Sequence, residues 1–389
     1  MEFELRKYSS RHQYPNPSNN SPVHLKKLAL YDFKNYEEAI FTFNNKVNCF
    51  LGKNGVGKTN ILDAIYYLGF TKSALNGVDA QNIKHGKNQF IIKGKFSNEG
   101  NESEVICSYA IGSKKAIRED GMDTRKLSDH IGKYPIVLIA PNDIELIWSG
   151  GEVRRKFFDS LIAQLDKNYL EHLIIYSNQL KQRNSLLKQS GEKGIDYDLL
   201  DTYDQKIIVS GNYIHQKRTE FLTSFLPLFK ENYVFLSGGT NEEVDIQYKS
   251  DCSGKDFGTL LKNSIRNDIV IQRTSIGIHR DDFVFTLNQF ELKRIGSQGQ
   301  QKSFLIGLKL AEFKSIENVK KVKPLLLLDD IFDKLDDERI HKLVTLVVEG
   351  AFGQLFITDA RPDRSQGLLK EANVEAELFF IENGKLTAV

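Results

Sequence analysis

The chain lacks any uninterrupted run of 18 apolar residues, so no transmembrane helix is expected. Residues 1–22 carry charges and a Pro/Asn/Ser-rich stretch from Tyr14 to Pro22 but no apolar core of the secretory type. That excludes a signal peptide and reads as a disordered extension or a tag. Cysteine is scarce: Cys49, Cys107 and Cys252 are odd in number and far apart. Neither a disulfide framework nor a zinc spacing can be built from them, which suits a reducing, cytoplasmic setting. Charge of one sign is also missing, since the net charge is only +2. Any nucleic-acid surface must therefore be a local patch. There is no long heptad array and no internal repeat, which excludes a long coiled-coil arm. With 389 residues of ordinary composition, two or three domains and a large core are within reach.

What is present begins at Gly52-Lys53-Asn54-Gly55-Val56-Gly57-Lys58-Thr59, the G-x-x-x-x-G-K-T pattern of a phosphate-binding P-loop. An apolar strand-like run (Val47, Cys49, Phe50, Leu51) leads in, and a helical pattern (Ile61, Leu62, Ile65, Leu68) leads out. Glycines let the backbone wrap around phosphate oxygens, and the helix that follows directs free N–H groups and the positive end of its dipole at the anion. Lys58 is expected to reach the β- and γ-phosphates and the Thr59 hydroxyl to ligate Mg²⁺, so the chain is read as binding a nucleoside triphosphate.

Residues 24–51 read as strands, residues 90–111 as a hairpin turning at Asn98–Asn101, and Ile136–Ala140 as a short buried strand ended by Pro141. From Glu152 to about Asn232 the period becomes helical (Phe157, Leu161, Leu165; Leu173, Tyr176, Leu180; Ile207, Ile214, Phe221), with a break at Gly191–Gly194. Two or three helices of modest length fit, forming an inserted lid. Arg154, Arg155, Lys181 and Arg183 lie there, either as solvated helix faces or as a surface for DNA phosphates. The remainder reads as strand (Val244–Tyr248), helix (Phe257–Ile271), strand (Phe283–Leu287), helix (Gln300–Phe313), strand (Leu325–Leu328), helix (Glu338–Val348) and strand (Leu355–Thr358). Such alternation indicates an α/β fold with a mostly parallel sheet covered by helices.

Two further segments carry chemistry. Pro324-Leu325-Leu326-Leu327-Leu328-Asp329-Asp330 is an apolar strand that delivers two carboxylates to the sheet's carboxyl edge. Asp329 suits the Mg²⁺ site opposite Thr59, and Asp330 is placed to orient the attacking water. Without the P-loop the pair would read as an acidic helix cap. Gly296-Ser297-Gln298-Gly299-Gln300-Gln301 opens an amphipathic helix and makes a second anion site, or simply a capped helix start.

The order of P-loop, Ser297-x-Gly299-Gln300, apolar strand with Asp329-Asp330 and then Leu335-Asp336 resembles the ATP-binding-cassette ATPases, in their SMC-type branch with a split head. More specific stretches resemble the RecF family: Leu30-Tyr31-Asp32-Phe33-Lys34-Asn35-Tyr36, Ala140-Pro141-Asn142-Asp143-Ile144-Glu145-Leu146, Arg154-Arg155-Lys156-Phe157-Phe158-Asp159, Leu180-Lys181-Gln182-Arg183-Asn184, and His279-Arg280-Asp281-Asp282. The similarity covers about residues 24–389. It departs from the family at Ile278, where Pro is frequent, at Lys302, where Arg is usual, and at Thr358-Asp359, where transporters of this superfamily carry a switch His.

The resemblance implies an ATP-binding-cassette head in two parts, 23–150 and 236–389, with a helical insert at 151–235. It further implies a slow, DNA-stimulated ATPase that uses ATP and Mg²⁺ and dimerises on ATP. Ser297, Gly299 and Gln300 would complete the partner copy's site, and Leu335-Asp336 would cross between copies. By the same resemblance it binds single-strand/duplex DNA junctions and assists RecA loading with RecO and RecR. A P-loop small-molecule kinase would need a lid of converging arginines and no Ser297-x-Gly299-Gln300. An antiphage or nuclease-associated SMC-like ATPase would need a further metal-binding domain.

Overall fold

The computed structural model describes residues 21–98, 100–239, 241–331, 335–382 and 384–387. The expected extension at 1–22 lies outside the described residues except for its last two. These correct the boundary: Ser21–Pro22 pair in parallel with Val322–Lys323. A proline is tolerated there because an edge position asks nothing of its missing N–H. The chain divides into two compact units. The first comprises Met1–Asp143, Glu231–Thr240 and Lys302–Val389, and the second Ile144–Lys230 and Asn241–Gln301.

In the first unit, Val47–Leu51, Leu325–Leu328 and Leu355–Asp359 are buried at every residue, as strands covered on both faces must be. They form the centre of a six-stranded sheet in the spatial order Lys385–Thr387, Ala376–Glu382, Val47–Leu51, Leu355–Asp359, Leu325–Leu328, Ile136–Ile139. All neighbours run parallel except the closing pair of Ala376–Glu382 with Lys385–Thr387. The register sets Asp359 beside Leu51 and Leu328 beside Ile357. The loops that follow Leu51, Leu328 and Asp359 therefore meet at one carboxyl edge, where ligands bind in such sheets.

A second, antiparallel sheet of the same unit runs Tyr36–Thr42, His24–Phe33, Gln89–Asn98, Asn101–Ala110, Ala116–Glu119, Met122–Asp123. Its alternating inward residues (Leu28, Leu30, Phe90, Ile92, Phe96) share one core with Ile61, Leu62, Ile65 and Leu68 of the helix Lys58–Phe70. That helix is consequently packed along its length, and its N-terminus is held where the P-loop needs it.

The second unit contains the helices Gly151–Leu165, Lys167–Lys193 and Phe257–Ile271, most of Tyr197–Ser237, and an antiparallel sheet ordered Val244–Lys249, Asp282–Leu287, Phe290–Glu291. Two expectations change here. The helices are not of modest length: one has 27 residues and the next 41, with Pro227 inside. Of the break expected at Gly191–Gly194, the helix runs through Gly191 to Lys193 and the chain leaves it at Gly194, with φ 77°. Ile207, Ile214, Phe225, Phe229 and Tyr233 are buried along the longer helix, and tertiary packing rather than local propensity sustains such length. Secondly, the insert is not confined to 151–235. The strands Val244–Lys249 and Asp282–Leu287 and the helix Phe257–Ile271, expected in the C-terminal head at 236–389, belong to the second unit. Their contacts explain it: Phe283 stacks on Phe158 at 4.1 Å and on Tyr248 at 4.9 Å. Among the described residues no helix is long and apolar enough to cross a membrane.

Candidate nucleotide site

The P-loop leaves its strand at Leu51 and enters its helix at Lys58. Gly52 and Gly57 have φ of 151° and 112°, both in the region that favours glycine. Space excludes a side chain as well. A Cβ at Gly52 would lie 2.4 Å from the Ile381 carbonyl oxygen, and one at Gly57 would lie 2.3 Å from Asn35 Nδ2. Lys53, Asn54 and Gly55 are exposed at the tip of the loop. Lys58 is buried, and its Nζ donates to the carbonyls of Gly52 (2.8 Å) and Lys53 (3.0 Å), so the ammonium already sits over the loop. The helix carries no acidic residue in its first turn, and among the described residues no side chain caps it, an arrangement that suits an anion.

The loop is clamped by residues to which the sequence reading gave no role. Asn35 Nδ2 donates to the Val56 carbonyl (3.0 Å), as does the Gly384 N–H (3.1 Å), and Tyr36 Oη donates to the Gly57 carbonyl (3.0 Å). Asn60 Nδ2 in turn holds Asn35 Oδ1 at 2.7 Å. Burial pushes the Tyr36 hydroxyl well above the usual tyrosine range, so it stays a donor. The Lys34-Asn35-Tyr36 signal was visible in the sequence as a motif, but not as a brace.

Across the sheet edge, Thr59 Oγ1 donates to Asp329 Oδ1 at 2.8 Å, joining residues far apart in the chain. Thr358 Oγ1 donates to the same carboxylate oxygen at 2.7 Å and accepts from the Asp330 N–H at 2.9 Å. Asp330 has φ 44°, the left-handed region that aspartate tolerates. A hydroxyl and a carboxylate set side by side are the hard oxygen donors that Mg²⁺ takes alongside phosphates and waters, so the residues present fit that ion. Asp359 plays a different part. It accepts from the Arg361 N–H (3.0 Å) and from Ser365 Oγ, and so ties the strand end to the first turn of the helix Pro362–Glu371.

Ser297 is exposed in the second unit at the start of the helix Gln298–Lys320. Ser297 N donates to Gln300 Oε1 (2.7 Å) and Gln300 N donates to Ser297 Oγ (3.2 Å), a reciprocal capping box. Gln300 Nε2 is further anchored on Glu242 Oε1 at 2.7 Å. Gly299 lies between the two boxed residues. Asp336 accepts from the Arg339 N–H (3.1 Å) and caps the helix Asp337–Val348.

Two of the candidate DNA-contacting arginines, Arg154 and Arg183, are reassigned. Arg154 is buried, makes a bidentate pair with Asp282 (2.8 and 2.9 Å) and donates to the carbonyls of Leu146 and Ser149. Arg183 is wholly buried and pairs with Asp204 (2.6 Å) and Asp268 (2.7 Å). Arg155 is half-buried and donates to the Asp281 carbonyl. Only Lys181 of the four is exposed. A guanidinium satisfied by internal carboxylates is not available to a phosphate, so Arg154 and Arg183 are structural ties rather than a phosphate surface. The family-like segments answer one another: Asp159 and Asp281 both pair with Arg218, Asp282 with Arg154, and Asn184 Oδ1 accepts from Thr274 N and Oγ1.

His279 belongs to the same fabric. Its Nδ1 shares a hydrogen bond with Tyr176 Oη (2.7 Å) and its Nε2 lies 3.2 Å from the Thr274 carbonyl. Burial pushes its pKa down to about 4. The folded-state value lies below the unfolded one, so the stability that neutral His279 contributes is complete above pH 6.5 and is lost as the pH falls towards 4. Between pH 7 and pH 5 the loss should be about 2 kcal/mol. Urea midpoints at the two pH values check this, with His279→Gln expected to show a flatter dependence than the wild type.

Residues 24–387 match the family model for the RecF/RecN/SMC N terminal domain. An Smc head domain from Pyrococcus furiosus has the same fold at a TM-score of 0.54 and 15% identity, over 94% of this chain and 96% of that one. The class is thus an α/β, SMC-type ATP-binding-cassette head. The structure of the recombination mediator protein RecF-ATPrS in the RecFOR pathway is far more similar, with a TM-score of 0.85 at 29% identity over 94% of this chain and 98% of that one. DNA replication and repair protein RecF of Flavobacterium johnsoniae is 45% identical over 358 residues, 92% of this chain and 99% of that protein. The RecF of Cytophaga hutchinsonii is 43% identical over 365 residues, 94% and 96% of the two chains. The chain belongs to the RecF family of DNA replication and repair proteins.

Proposed function

We propose that the protein is an ATP-gated DNA clamp of recombinational repair. The triphosphate binds on Gly52–Thr59, with Lys58 on its β- and γ-phosphates. Thr59 and Asp329 hold Mg²⁺, which when bound neutralises charge on the phosphate oxygens. Asp330 orients the attacking water. Ser297, Gly299 and Gln300 of a second copy close the site over the γ-phosphate, and Leu335-Asp336 passes between copies. ATP then acts as a switch: two copies join around a single-strand/duplex junction in the cytoplasm, assist RecA loading with RecO and RecR, and separate after slow hydrolysis.

The observation that carries this reading is the 2.8 Å hydrogen bond between Thr59 and Asp329, which unites the P-loop and the carboxylate strand in one site. Family membership and the exposed, capped helix start at Ser297 support the two-copy closure. Sedimentation with ATP is the test. Wild-type protein should shift from monomer to dimer with ATP and sediment with gapped DNA, whereas Lys58→Met should remain monomeric in both conditions. Dimers of Lys58→Met that form as readily as those of the wild type would remove ATP from the account.

A further inference from the structure

We propose that Thr358 is a positioning residue of the metal and water carboxylates, acting through one hydroxyl. The inference rests on the reading of Asp329 as metal ligand and Asp330 as water-orienting group. Thr358 is the penultimate residue of the strand Leu355–Asp359, which lies parallel to the one leading to the carboxylates, and the pairing of Leu328 with Ile357 brings it abreast of Asp329. It is fully buried. Its hydroxyl has one proton to give, and the geometry assigns it. The Asp330 N–H can only donate, so Thr358 Oγ1 accepts there (2.9 Å) and must turn its proton to Asp329 Oδ1 (2.7 Å). One hydroxyl thereby fixes a carboxylate oxygen of Asp329 and the backbone of Asp330, whose φ of 44° sets the direction in which its side chain leaves. Thr59, the other donor to Asp329, is itself assigned to the ion. Thr358 is then a side chain that orients Asp329 without being a ligand, and such outer partners typically change metal affinity or activity by about 10- to 100-fold.

The test titrates Mg²⁺ against a fluorescent ATP analogue bound to the full chain, with Mn²⁺ binding followed by electron paramagnetic resonance. Thr358→Val keeps the shape and removes the hydroxyl. We expect metal-free nucleotide affinity close to wild type, a Mg²⁺ requirement raised by about tenfold, and a weakened Mn²⁺ signal. Thr358→Ser, which restores the donor, should return both towards wild type. Should Thr358→Val fold poorly, Thr358→Cys supplies the weak-donor comparison. Asp329→Asn is measured beside them. If Asp329→Asn loses metal binding while the Thr358 variants titrate like wild type, Thr358 is only a packing residue and the proposal falls. If Asp329→Asn itself binds Mg²⁺ normally, the metal assignment fails and takes the proposal with it.

Discussion

Ser297→Arg should leave nucleotide binding by the isolated chain nearly unchanged, remove ATP-dependent dimers and lower turnover by about 10²-fold or more. Ser297 and Gln300 satisfy each other's backbone N–H groups, and Ser297 is exposed at the front of a 23-residue helix. Losing an N-cap costs about 1 kcal/mol, and the helix is otherwise buried over much of its length, so the fold should survive. What changes is access. An exposed helix start can bring its N–H groups against a triphosphate only if nothing bulky stands in front of them. The arginine places a long side chain at that point, and its charge does not compensate for backbone donors held out of reach. The P-loop, its brace from Asn35 and Tyr36, and the Thr59–Asp329 pair are untouched, which is why binding and turnover should separate.

The measurement combines sedimentation, single-site nucleotide titration and phosphate release on the same preparation. Monomers of Ser297→Arg that hydrolyse ATP at the wild-type rate would show that the site is complete within one chain. Loss of nucleotide binding together with turnover would point instead to damage of the first unit, which a thermal melt on the same sample would reveal.

The nucleotide site and the helical second unit were legible in the sequence to different degrees. Gly52–Thr59 and Leu325–Asp330 could be read because phosphate and metal chemistry demand particular residues at fixed local spacing, and a buried parallel strand leaves a continuous apolar run. The helical character of 151–235 was visible from its period, and so was the break at Gly194. The basic residues misled because charge type says nothing of burial. Arg154 and Arg183 look like a phosphate surface until their carboxylates, many residues away, are seen to enclose them. The same non-local pairings decide that Asp282–Leu287 joins the second unit, which no local pattern could announce. Asn35, Tyr36 and Thr358 escaped a role because a brace on a carbonyl has no spacing rule. Asn35 and Tyr36 at least lay in a recognisable motif, and Thr358 stood where a histidine was missed.

Arg218→Met should destabilise the protein by about 3–5 kcal/mol, because it leaves buried carboxylates without their cation. Arg218 is 1% exposed. Its Nε and Nη2 each lie 3.0 Å from Asp159, and its Nη1 donates to Asp281 Oδ2 (3.1 Å) and to the Ile278 carbonyl (2.8 Å). Asp281 is buried and also accepts from Tyr248, and Tyr169 hydrogen-bonds Asp159 at 2.5 Å. Methionine fills much of the volume but answers none of these acceptors. Asp281, buried, and Asp159, partly buried, are then left with no bonded cation and only the field of the neighbouring Arg155, or must take up protons. The melting temperature should fall by on the order of 10 °C, and urea midpoints followed by tyrosine fluorescence give the free energy. Most of that loss reflects stranded charge rather than the intrinsic worth of the ion pairs. Replacing Asp159 and Asp281 by Leu in the Arg218→Met background should therefore recover a substantial part of it, although the Tyr169 and Tyr248 hydroxyls then lack an acceptor. A single variant that costs less than about 1 kcal/mol would mean that water reaches the network and that the second unit is held by its aromatic packing instead.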